Sequence, residues 1–480
     1  MDELVPGRVS VSGASLRRSP AESFRVSFDV GWAGSWRGPH RPSWVASPDN
    51  WDAVWLFVKF RHESGPWYHV PLTQAGHVVP ETMHVAPSPD GRGVFIYRAS
   101  AGTGDLWARD VHLLCDLDQD TVPPAADVEV RVFGLEMVLV QRGPFYLGSG
   151  GTDSSMFRSR GTKRPFYVEE QVPIELGVGD QRLNWTVTKR SGRPEGKSHS
   201  QFPTGVDGFY MMKYPVTRGQ YAGFLNTLSE RQAVARLMRR PKSFEGLANR
   251  PLDEIEGGRP GEYFAPLPES AMNWLGWSDG AAFSAWAGLR PMTELEFEKV
   301  ARGPLPPVAN EYVWGSPEIL ALRWRSTAGR DTERRRSEEA NAVYGNGVGH
   351  ALTRICVGHF AAPGRTRVQA GASYYGALDL SGGLWEQVVS IGHPSGQRFT
   401  GLHGNGELDR QGDAEVTGWP DLDSSGGPSP HSIRGTGHRG GSFLEAARFL
   451  RTSDRTHAEF GHSMRHFTLG WRACRSIPNT

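Results

Sequence analysis

Between Gly303 and Val388 the chain shows hardly a regular apolar period longer than a few residues. Neither the three-and-four spacing of a helix nor the alternation of a strand is signalled there. A compact domain rarely carries so long a connection without secondary structure, because its backbone groups must find partners elsewhere. The fold must therefore be one in which long irregular segments are held by function or by bound ions. The 59 glycines and 34 prolines are spread along the chain, which fits many turns and ordered loops. With 38% hydrophobic residues the chain can still build real cores, and 480 residues allow two to three domains.

Upstream the pattern changes. Short apolar runs broken by turn residues occur at 24–30 (FRVSFDV), 53–60 (AVWLFVKF), 67–72, 93–97 and 111–117, and they predict an antiparallel β-sandwich over residues 1–126. Of the seven tryptophans in it, six (Trp32, Trp36, Trp44, Trp51, Trp55 and Trp67) are assigned to its core rather than to a carbohydrate-stacking face. The stretch 118–126 (DQDTVPPAA) reads as a join. Beyond it 128–147 is strand-like, and helices are predicted over 217–238, 277–288 and 293–302, the last with a Thr start and a Glu three residues on. GNGVG at 345–349 lacks the strand and helix context of a phosphate loop and is assigned to turns.

The charge is nearly balanced, 53 basic against 52 acidic residues, so no global field draws the chain to nucleic acid or an anionic membrane. Three cysteines without a close pair, Cys115, Cys356 and Cys474, indicate neither a disulfide framework nor a zinc ribbon. The first residues, MDELVPGRVSVSG, lack the basic and apolar regions of an export signal, and no run is long enough to span a membrane. A cytoplasmic location, with delivery to a surface or particle left open, is the expectation.

Five ordered blocks then carry a resemblance: FYMMKYPVTRGQY from Phe209, MNWLGWSDGAAFSAWAGLRPMTELEFEKVARG from Met272, YVWG from Tyr312, GALDLSGGLWEQV from Gly376, and RGGSF to LGWRACR between Arg439 and Arg475. Over about residues 130–478 the chain resembles the formylglycine-generating enzyme (sulfatase-modifying factor) family, in a bacterial subgroup with an added N-terminal sandwich. The resemblance implies an α+β chain: an all-β sandwich at 1–126, then a loop-rich C-type lectin fold at 127–480 that often binds calcium. It would account for the irregular stretch before Val388.

The family's oxidation of a substrate cysteine uses a C-x4-C pair that binds copper(I), for which soft thiolates are the natural ligands. Counted without gaps from Gly440, Gly441 and Ser442, those positions fall on Glu445 and Leu450. Copper is not expected, and Cys474 reads as a structural thiol. The related iron-dependent sulfoxide synthases carry HxxxHxE; His462 and His466 are similar in spacing, but Thr468 holds the acidic position. If that segment were helical the two imidazoles would share a face and could share a metal. By resemblance Asn341 and Glu386 match calcium-site positions, while Gly383 replaces an asparagine ligand.

Within 431–480 eight Arg and five His stand against Glu445, Asp454 and Glu459. Framework arginines there, Arg451, Arg455 and Arg472 with Asp454, are expected in an internal ion network. The intervening Phe443, Leu444, Glu445, Phe449, Thr456, His457, Glu459, Phe460, His462, Met464 and His466 form the expected ligand-binding face, since mixed aromatic and basic surfaces concentrate affinity. By resemblance this stretch builds the family's active-site face and varies in proteins diversified by retroelements. The functional expectation is a non-catalytic protein binding a protein or glycan there. The alternatives are a metal-dependent oxidase with altered ligands and a structural subunit that docks to an assembly partner through its sandwich.

Overall fold

A computed structural model describes residues 4–18, 24–117, 128–159, 162–188, 191–237, 255–322, 340–345, 355–420 and 433–477. The expected join at 118–126, the end of the first predicted helix at Met238 and positions 346–349 lie outside these residues. The described chain is strand-rich, with short helices.

The run AVWLFVKF becomes strand Asp52–His62, buried along nine of its residues from Asp52 to Phe60. A strand apolar at every position is one covered on both faces, and both covers are present. Val54, Leu56, Val58 and Phe60 share a core with Val26, Phe28, Val30, Val111 and Leu113 of a three-stranded antiparallel sheet, ordered Ser10–Arg18, Phe24–Arg37, Gly102–Cys115. Trp55 and Phe57 face the other way, into a core with Tyr221, Phe224, Phe283 and Trp286 of the helices. Lys59, on that second face, is buried and donates to Gly406 O at 2.6 Å.

Asp52–His62 belongs to an eight-stranded sheet whose main path runs Arg290–Pro291, Ala473–Ser476, Phe209–Met212, Val128–Val140, Asp52–His62, Val94–Arg98, Met83–Pro87. Val128–Val140 is its pivot. It pairs antiparallel with the N-terminal strand from Asp52↔Val138 to His62↔Val128, and its last four residues pair with Phe209–Met212 on the other side. The upstream strands and those of the family blocks therefore share one sheet. At the seam Lys213 is buried between Asp52 (3.2 Å) and Glu136 (3.1 Å), with the Trp36 ring 4.6 Å away.

Of the six tryptophans assigned to the core, Trp32, Trp36, Trp44 and Trp55 are buried. Trp51 and Trp67 are only half-buried; Trp67 lies between the guanidinium groups of Arg61 and Arg131.

The first predicted helix is two: Arg218–Leu225 and Glu230–Arg236. Ser229 caps the second through a reciprocal box with Gln232, while Asn226 ends the first and accepts from Gly261 N and Tyr263 N. A side chain that satisfies orphan helix-end donors also stops the preceding helix. Helices Trp277–Trp286 and Glu294–Arg302 follow the reading closely, and Thr293 and Glu296 make the expected capping box. Between Gly303 and Val388 the described residues contain one four-residue helix, Arg367–Ala370, before strand Glu386–Val389.

Candidate functional site

Helix Glu294–Arg302 is the buried hub under the C-terminal face. Glu294 takes Arg439 at 3.0 Å and Arg455 at 2.7 Å, Glu298 takes Arg439 at 2.6 Å and Arg302 at 3.3 Å, and all these side chains are essentially inaccessible. Burial alone would push the Glu294 carboxyl up, but Arg455 and Arg439 outweigh it and hold it below the usual carboxylate range. Arg472 is fixed by Glu386 at 3.0 Å, and Arg451 reaches Asp153 at 3.3 Å. The expected network exists, but apart from Glu459, 3.7 Å from Arg455, its acids come from other segments; Asp454 instead accepts from Thr456 N.

On this frame strand Thr436–Arg439 pairs with Glu386–Val389, Gln387 opposite His438. His438 and Trp385 thereby become the floor of a ring cluster. Trp385 lies 4.9 Å from His457 and 6.2 Å from His438; His438 lies 5.6 Å from His462; Phe460 lies 5.6 Å from His462 and 5.9 Å from His457; Phe449 lies 5.7 Å from His457 (centroid distances). Burial drives the His438 imidazole well below its ordinary value, and His462, His457 and His466 add to the effect, so it is neutral near pH 7. Phe460 (46% exposed) and Met464 (53%) open the cluster to solvent.

The expected ligand-binding residues separate on this face. Phe449, His457, Phe460 and His462 come together. Met464 and His466 are exposed beside them, with the His466 ring 4.4 Å from Phe467. Thr456 is half-buried, its amide spent on Asp454. Glu459 accepts from Gly192 N at 2.6 Å and tethers that loop. Phe443 is buried among Leu322, Val343, Phe360 and Leu384, with half-buried Leu444 packed against the same cluster. Glu445 is half-buried. His438 and Trp385 went unread in the sequence. A single His before RGGS carries no spacing signal, and only the pairing of two distant strands brings it under the loop.

The 461–467 segment is not helical, so the HxxxH spacing does not set His462 and His466 on one helix face. His466 Nδ1 instead lies 2.7 Å from Thr468 Oγ1, and His462 has the His438 and Phe460 rings as neighbours, each at 5.6 Å. At the two counted positions, Leu450 is buried and fills the space beside Gly441, and Glu445 is half-buried. Cys474 is buried in strand Ala473–Ser476, where burial raises its thiol far above the ordinary value.

Asn341 and Glu386 line one cavity of about 50 Å³ together with Asp379 and Cys356. The Asn341 amide is engaged at both ends, accepting from Leu320 N and donating to Val368 O, each at 2.9 Å. Glu386 Oε1 takes Arg472, while its Oε2 is buried without a hydrogen-bond partner among the described residues. Burial raises the carboxyls of Glu386 and Asp379, with Arg472 acting against it at Glu386. An orphaned carboxylate oxygen beside a second acid fits a hard cation in donor type. Among the described residues no group of three or more His, Cys, Asp or Glu is placed to hold a metal, so backbone and amide oxygens would have to complete the shell. No helix among those residues is long and apolar enough to cross a membrane.

Residues 126–477 match the family model described as the sulfatase-modifying factor enzyme 1-like domain. No curated protein matches the chain. The ordered blocks, the buried RGGS and LGWR frame and this match over most of the chain agree, and the protein belongs to the formylglycine-generating (sulfatase-modifying factor) family, with a structure consistent with its lectin-like fold.

Proposed function

We propose that this chain is a binding member of its family, taking a protein or glycan ligand on the C-terminal face. The observation that carries the reading is the ring cluster of Trp385, Phe449, His457, Phe460 and His462, which opens to solvent at Phe460 above a frame locked by buried ion pairs. Aromatic side chains on a rigid support lose little entropy on binding. Glu445 and Leu450 offer no soft donor where the family's thiolates would stand. In this reading the N-terminal region is a sandwich that serves assembly, and calcium, bound through Glu386 with Asp379 and the remaining lone pair of Asn341, is structural: it would offset two buried carboxylates.

The test compares partners captured by the intact protein with those captured by a Phe449→Ala, His457→Ala, Phe460→Ala, Met464→Ala variant, on protein and glycan arrays and with circular dichroism to verify folding. Phe443 is left untouched because it is core. Loss of partners is expected; unchanged partners would remove this face from the proposal. Diversification of the face by a retroelement would be supported by a neighbouring reverse transcriptase gene and a near-copy repeat of the last coding segment.

One observation favours a second reading, an oxidase with altered ligands: the approach of His438 and His462 to 5.6 Å between ring centroids. Stoichiometric copper or iron that disappears in His438→Phe would establish it, whereas calcium alone would leave the binding reading standing.

A further inference from the structure

A cleft of about 410 Å³ opens at the seam of the shared sheet, lined by none of the ring-cluster residues. One part of its wall is upstream, Trp51, Phe95 and Tyr97 with residues 86–89, and the other comes from the family-matched region, including Leu139, Tyr210 and Ile477. It exists only because the two regions pair through Val128–Val140, and its volume is that of a small-molecule site.

The wall is built from two stacked ring pairs. Trp51 and Tyr97 lie 5.5 Å apart with planes 24° from parallel, and Arg37 stands 5.3 Å from each ring. Phe95 and Tyr210 lie 3.9 Å apart at 22°. Trp51 Nε1 donates to Tyr210 Oη at 3.0 Å and so joins the pairs. Trp51 and Tyr97 are half-buried, which leaves ring surface at the cleft.

Most polar groups of the lining are already used. Ser88 Oγ donates to Gly93 O, the Gln141 amide is held by Asp49 O and Ser47 Oγ, and the Arg475 guanidinium is taken by Gly288 O and Asp90. Arg142 reaches Asp207 at 3.6 Å from an exposed position at the rim. Two hydroxyls differ. Tyr210 Oη accepts from Trp51 and Ser476 Oγ accepts from Arg290, and neither hydroxyl hydrogen has an acceptor among the described residues. Burial keeps the Tyr210 phenol protonated by raising it above its ordinary value.

We propose that this cleft binds a flat aromatic small molecule carrying a hydrogen-bond acceptor, its ring on the Trp51 and Tyr97 wall and its acceptor on the Tyr210 hydroxyl. The spent polar lining disfavours a sugar, whose many hydroxyls would lose water without replacement partners. The two free hydroxyl donors select a carbonyl-type acceptor over a further donor.

Three probes test it on the full chain by calorimetry and ligand-observed NMR: 2-acetylnaphthalene, 2-ethylnaphthalene of matching shape without the acceptor, and cellotriose. The acetyl compound is expected to bind about tenfold more tightly than the ethyl one, the ratio that one net hydrogen bond supplies. Tyr210→Phe should erase that ratio by weakening the acetyl compound alone, and Trp51→Ala should weaken both. Because Tyr210→Phe also strips Trp51 Nε1 of its acceptor, Trp51→Phe is the control and should retain the acetyl preference. Cellotriose binding that depends on Trp51, absence of binding by either naphthalene, or equal weakening of both by Tyr210→Phe would each overturn the proposal.

Discussion

His438 shows how one side chain couples the face to pH. Its imidazole is buried at 4% exposure and its folded pKa lies well below the ordinary 6.5, first by burial and then by the facing His462, His457 and His466. As pH falls through 6.5 the unfolded chain takes up this proton and the folded one does not, so this contribution to stability is complete above 6.5 and declines below it. The loss approaches about 1.4 kcal/mol per pH unit in that window. Denaturant titrations of the wild type and His438→Phe between pH 7 and 5 should show a shallower decline in the variant; equal slopes would remove His438 as the source. Glu294 acts in the same direction at lower pH: its depressed pKa gives stability present above the unfolded value and lost as pH falls through the folded one. At this scale the sequence was informative about type and weak about role. Phe443 and Phe460 look alike in a row of letters, yet one is core and the other is 46% exposed, because Phe443 packs against Leu322, Val343, Phe360 and Leu384 from segments distant in sequence.

Among the elements, those with a local cause were legible. The Thr293 and Glu296 box starts its helix as read, and the apolar run at 53–60 is a strand. The split of 217–238 was also written locally, in the Ser229 to Gln232 box, but apolar spacing continues across it and masked the stop. Ser229→Ala should cost about 1 kcal/mol. Hydrogen exchange should show Glu230–Arg236 opening more readily while Arg218–Leu225 is unchanged; equal protection in wild type and variant would mean that packing, not the cap, sets this boundary. What no element announced was the partner of Val128–Val140. An apolar run buried on both faces says that it is central and leaves open which strands flank it.

For the molecule as a whole, the shared sheet sets what can be separated. Removing residues 1–126 would strip the eleven residue pairs between Asp52–His62 and Val128–Val138 and uncover Leu135 and Met137. A long apolar edge of this kind recruits other chains. Residues 127–480 alone should elute as aggregates in size-exclusion chromatography where the full chain does not; a monodisperse, cooperatively folding fragment would show that the family region stands by itself. The C-terminal face is attached quite differently. Arg439, Arg455 and Arg472 pin it to Glu294, Glu298 and Glu386, acids that all lie outside the 439–475 stretch. Phe449, Phe460 and Met464 take no part in those bonds, so a library randomised at these three positions should lose few members to misfolding: mutational tolerance is concentrated where a new ligand would be met.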